Sequence, residues 1–96
     1  MIRHVVVRGA VQGVGYRAFV TDEALRRGLE GWVRNRRDGT VEAVFSGADE
    51  VVALAIEACR RGPSAARVDA VDAQEGDMTL LAQRRPGERF SVLRTA

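Results

Sequence analysis

Residues 30–46, EGWVRNRRDGTVEAVFS, hold two short runs of strand-forming side chains on either side of Arg37-Asp38-Gly39. Asp-Gly between two such runs is a strong hairpin signal, because glycine supplies the positive φ that a tight reversal demands. The segment therefore reads as a second strand over 30–36 and a third over 40–46, antiparallel neighbours. Before it, Tyr16, Phe19, Val20 and Ala24 recur at helical spacing and Gly28 offers a stop, which predicts a helix over 17–27. IRHVVVR, residues 2–8, predicts a first strand with Val5 and Val7 on one face and His4, Val6 and Arg8 on the other.

After the hairpin, Val51, Leu54, Ala55, Ala58 and Cys59 follow the i, i+3, i+4, i+7, i+8 pattern of an apolar helical stripe that Gly62-Pro63 ends. Ser46 with Asp49 offers a weak N-terminal cap. ARVDAVDAQ (66–74) reads as a fourth strand and RFSVLR (89–94) as a short fifth, with the charged stretch GDMTLLAQRRPGE (76–88) between them read as mobile. The order is β-α-β-β-α-β plus a terminal strand. This is an α+β, ferredoxin-like split βαβ arrangement, with two helices on one face of a mainly antiparallel sheet. A crossover helix makes strands one and two parallel, so their C-terminal ends open on the same edge. That topology brings residues 9–17 close to Asn35.

The 96 residues, 46% hydrophobic and 29% charged, fit one domain spanning 1–96, with no apolar run near the roughly 18 residues a membrane span needs. The N-terminus lacks the cleavage site of a signal peptide, and the lone Cys59, on the apolar stripe of the second helix, excludes an internal disulfide. A cytoplasmic protein is expected. All fifteen basic side chains are arginine, which codon bias explains without any function. Residues 1–47 carry eight Arg against five acids, and residues 48–96 seven Arg against eight acids. The first half thus leans towards a small anion, too weakly to imply a polyanion such as duplex DNA.

GAVQGVGYR, residues 9–17, follows the first strand directly. Gly9, Gly13 and Gly15 allow successive N–H groups to converge on one point, and the segment runs into a helix N-terminus where unpaired N–H groups and the helix dipole favour an anion. Arg17 adds a planar fork of donors suited to phosphate. Without a lysine the chain cannot carry a P-loop. Gly13-Val14-Gly15-Tyr16-Arg17-Ala18 matches the dinucleotide fingerprint literally, but four residues separate it from the strand and a hairpin follows where a second crossover should. RNA-recognition domains share the element order but need aromatic side chains on strands one and three, where only Phe45 occurs.

GAVQGVGYR followed by GWVRNRRDGTV resembles the acylphosphatase family in order and spacing, and the resemblance extends to Phe90-Ser91-Val92. Tyr16 stands where that family usually has Phe, and residues 76–89 and 94–96 match loosely. The resemblance implies hydrolysis of acyl phosphates to a carboxylate and inorganic phosphate. In that reading Arg17 and the loop amides of Gln12, Gly13, Val14, Gly15 and Tyr16 hold the phosphate, while Asn35 orients the attacking water. No metal or other cofactor is implied, and no Cys, His and acid cluster has metal-ligand spacing. The partner is a small acyl phosphate, with phosphate or sulfate as competitors, and a monomer without nucleic-acid or membrane partners is expected. The alternative is a non-enzymatic anion- or RNA-binding module on the same fold. Arg34, Arg36 and Arg37 read as a solvated face, His4 as a surface histidine, and Trp32 and Phe19 as core.

Overall fold

Val5, Val6 and Val7 of β1 (Ile2–Ala10) are all buried, and Val5 and Val7, on one face of the strand, join the main core. The computed structural model, which describes residues 1–96, continues with α1 (Tyr16–Arg26), β2 (Glu30–Asn35), β3 (Val41–Ser46), α2 (Asp49–Arg61), β4 (Arg67–Glu75), α3 (Met78–Leu81) and β5 (Phe90–Val92). The sheet order is β4-β1-β3-β2-β5. β3 lies antiparallel between β1 and β2, so those two strands run parallel to each other, and β5 adds in parallel to the outer edge of β2. This is the ferredoxin-like α+β arrangement expected from the element order.

Pairing of Val5 with Ala43, and of Ala43 with Val33, aligns three small apolar residues across the sheet's centre. Together with Tyr16, Val20 and Ala24 of α1 and Val52, Ala55 and Cys59 of α2 they form the main core. Phe45 and Phe90 stack within it at 5.9 Å, which ties the short edge strand to the sheet.

Three expectations need correction. The buried stripe of α2 is Val52, Ala55, Ala58 and Cys59, whereas Leu54 is 54% exposed. The alanines bring the helix close to the sheet, and this orientation turns Leu54 outward. Ser46 does not cap α2, because it remains paired with Ile2 and Glu30 at the end of β3; the N-cap is Ala48, without a side-chain bond. Asp49 and Glu50 in the first turn and Arg60 and Arg61 in the last instead complement the helix dipole.

The third correction concerns 76–88, read as a mobile stretch, which takes a defined conformation around a one-turn helix. The Asp77 side chain accepts a hydrogen bond from the Leu80 N–H at 3.0 Å and starts α3. Trp32 donates from Nε1 to the Leu80 carbonyl at 2.7 Å, while Leu81 packs with Trp32 and Val44 in a second small core. A single helical turn has too little periodicity to be read in a sequence.

Candidate active site

The loop after β1 is anchored by Val11, which is buried. Gly13 and Gly15 have φ of 76° and 80°, and a Cβ at either would meet no atom within 4 Å. Backbone conformation is therefore the reason for glycine at both, since the left-handed region penalises any side chain. Gly15 is the N-cap of α1, no side chain caps the helix, and its first turn contains no acid. Gly9 does something else. It sits at a register shift in the β1–β4 ladder, with φ of 132°, where a Cβ would lie 2.1 Å from the Arg67 carbonyl oxygen. It belongs to a bulge and not to an anion nest, a correction to the expectation.

A cavity of about 330 Å³ opens where the loop meets the ends of β2 and β5. Gly13, Gly15, Arg17 and Asn35 line it together with Tyr16, and Val11, Ala18 and Val92 supply apolar surface. Arg17 is the only charged residue in the lining. It enters none of the molecule's ion pairs.

Asn35 is the last residue of β2, paired with Val41, and its carbonyl accepts a hydrogen bond from the Ala96 N–H at 3.0 Å. Its side-chain Oδ1 is buried without a hydrogen-bond partner. A buried acceptor left unpaired costs about 1–3 kcal/mol, which a donor bound beside it would relieve.

Gln12 and Val14 are not in the lining. The Gln12 side chain donates from Nε2 to the carbonyls of Arg36, at 2.7 Å, and Thr40, at 2.8 Å, which clips the loop to the β2–β3 hairpin. Val14 packs against the main core. Tyr16 is buried, and its hydroxyl donates to the Cys59 carbonyl at 2.6 Å. Burial first, then the neighbouring Cys59, drives the phenol above its ordinary range, so this hydroxyl is a structural strut. Burial likewise pushes the Cys59 thiol up to about 11, which keeps it protonated and unreactive. Phe19 is only partly buried, against Tyr16 at 6.1 Å and beneath Arg61.

The reading of His4 as a surface residue, and of Arg34 and Arg36 as a solvated face, is also corrected. His4 Nε2 hydrogen-bonds Glu42 Oε2 at 2.6 Å; Arg34 Nε donates to Oε1 at 2.7 Å and Arg36 Nη2 to Oε2 at 3.2 Å. Sequence reasoning passed over Glu42, which is buried. Burial alone would raise its carboxyl, yet hydrogen bonds from His4 and Arg34 and the charges of Arg34 and Arg36 hold it below its ordinary value of 4.5. The available signal was parity: an acid in β3 whose cross-strand partner in β2 is Arg34.

An unneutralised helix start, a free arginine and an asparagine with an unpaired carboxamide oxygen thus meet around one cavity at the end of the first strand of a split-βαβ fold. A sequence model described as acylphosphatase matches residues 3–85, and the chain belongs to the acylphosphatase family. It is 61% identical over 95 residues to an acylphosphatase of Rhodopseudomonas palustris strain BisB18, covering 99% of this chain and 96% of that relative. The crystal structure of acylphosphatase from Bacillus subtilis superposes with a TM-score of 0.81 at 36% identity, covering 97% of this chain and 99% of that one. The same fold recurs within T. kodakarensis HypF, where 98% of this chain matches 12% of that chain with a TM-score of 0.73 at 32% identity. The chain is an acylphosphatase enzyme with a small-molecule substrate. No helix is long and apolar enough to cross a membrane.

Proposed function

We propose that residues 1–96 act as one catalytic unit that cleaves the carboxyl–phosphate anhydride bond by positioning and electrostatics, without a metal. The phosphate sits against the backbone N–H groups of Gln12, Gly13, Val14, Gly15 and Tyr16, with the guanidinium of Arg17 neutralising its charge. The carboxamide of Asn35 orients a water, whose oxygen attacks phosphorus opposite the acyl group. The phosphorus–oxygen bond to the acyl group breaks as the new one forms. The bond's electron pair leaves with the carboxylate, and a phosphate oxygen takes the water's proton. An acyl phosphate is already activated, so orientation and a preorganised positive field can supply most of the acceleration.

The observation that carries this reading is the lining of one cavity by Gly13, Gly15, Arg17 and Asn35, the last with its acceptor unpaired. The apolar surface of Ala18 and Val92 gives the acyl chain a way out of the site. An RNA-binding role is disfavoured because Phe45 is buried in the core and offers no stacking platform. A cytoplasmic monomer without nucleic-acid partners completes the proposal.

Purified protein is expected to release phosphate from benzoyl phosphate at an unchanged rate in EDTA, with inorganic phosphate and sulfate inhibiting competitively. Loss of activity in EDTA that a divalent ion restores would contradict the metal-free mechanism. Noncompetitive inhibition by phosphate would place the anion site elsewhere.

A further inference from the structure

On the sheet face opposite α1 and α2, the carboxylate of Glu42 gathers His4 of β1, Arg34 of β2 and Arg36 just beyond the end of β2, although its own side chain is only 4% exposed. Such a cluster is weak evidence for stability, because a buried ion pair recovers its desolvation cost only with difficulty. The arrangement does achieve something geometric. Arg34 and Arg36 are the immediate neighbours of Asn35, and strand alternation means that drawing both to the rear leaves the Asn35 side chain facing the cavity. β2 ends at Asn35, so the ladder alone does not hold Arg36. Arg34 is further fixed over the Trp32 ring at 4.8 Å. The clamp also reaches the loop, since the Arg36 carbonyl is one of the two that accept from Gln12.

We propose that Glu42 is a positioning residue: by clamping Arg34 and Arg36 it aims the Asn35 carboxamide at the water that attacks the phosphate. The inference rests on the reading of Asn35 given above. Glu42 touches neither substrate nor water and acts through Asn35 alone.

A double-mutant cycle tests it, with kcat on benzoyl phosphate and the inhibition constant of inorganic phosphate measured for wild type, Glu42→Gln, Asn35→Ala and the pair. Glu42→Gln is expected to lower kcat by about tenfold or more and to leave phosphate inhibition within about threefold. In the Asn35→Ala background the same change is expected to alter kcat by less than about twofold, because the group being aimed is gone. An equal loss in both backgrounds would reduce Glu42 to a support of the fold and overturn the proposal, as would a folded Glu42→Gln with normal kcat. If Asn35→Ala by itself keeps wild-type turnover, the reading of Asn35 fails and the proposal falls with it, a result distinct from failure of the clamp alone. Should Glu42→Gln not fold, Arg36→Met decides the matter. It removes one arm of the clamp while Arg34 and His4 still balance the carboxylate, and the same pattern across the two backgrounds is expected.

Discussion

Gly15 shows how a single residue can serve the site without a side chain. Its φ of 80° starts α1 and turns the loop, and open space surrounds the position a Cβ would take. Gly15→Ala is therefore expected to cost about 1–2 kcal/mol through backbone conformation alone. Any relaxation that relieves this cost rotates the loop N–H groups, so phosphate inhibition should weaken as well. Chemical denaturation with phosphate inhibition checks both; unchanged inhibition would mean that these amides do not hold the anion. At this scale legibility was uneven. Gly13 and Gly15 could be read as loop glycines, but Gly9 looked the same in sequence, and only the β1–β4 register shows that it relieves a close approach to Arg67. The side chain of Gln12 was equally silent, because its partners are backbone carbonyls 24 and 28 residues away.

Among the elements, the hairpin was the most readable, since Asp38-Gly39 closes it locally and Thr40 donates both N–H and Oγ1 to Asp38 Oδ1, at 3.0 and 2.6 Å. The same contact, chiefly the side-chain bond, draws the Asp38 carboxyl below its ordinary range. α3 was unreadable for the opposite reason: its four residues are held by Trp32 and Val44, which are distant in sequence. Asp77→Ala removes the α3 cap and is expected to lower stability by about 1 kcal/mol while turnover by the folded protein stays unchanged. Denaturation midpoints beside steady-state rates test this. A drop in kcat at full folding would mean that α3 supports the site through the rear of the sheet. Glu42 was missed because charged residues in a strand are read as facing water, and this one faces a side of the sheet that α3 partly covers.

For the whole molecule, strand direction accounts for the site. β1 and β2 run parallel with β3 between them, so the loop that ends one strand and the asparagine that ends the other reach the same cavity from segments 18 residues apart, Arg17 to Asn35. This juxtaposition could be read from element order, because a crossover helix leaves little choice of direction. The orphaned Oδ1 and the unpaired Arg17 could not, since both depend on what the rest of the chain fails to supply. We propose a division of labour, in which Arg17 holds the phosphate and Asn35 the water. Calorimetric binding of inorganic phosphate to Arg17→Ala and Asn35→Ala, with turnover measured on the same samples and circular dichroism to verify folding, tests it directly. Arg17→Ala is expected to lose about ten- to a hundredfold in phosphate affinity together with turnover. Asn35→Ala is expected to bind phosphate within about threefold of wild type while turnover falls about a hundredfold or more. Normal phosphate binding by folded Arg17→Ala, or near-normal turnover by Asn35→Ala, would contradict the account.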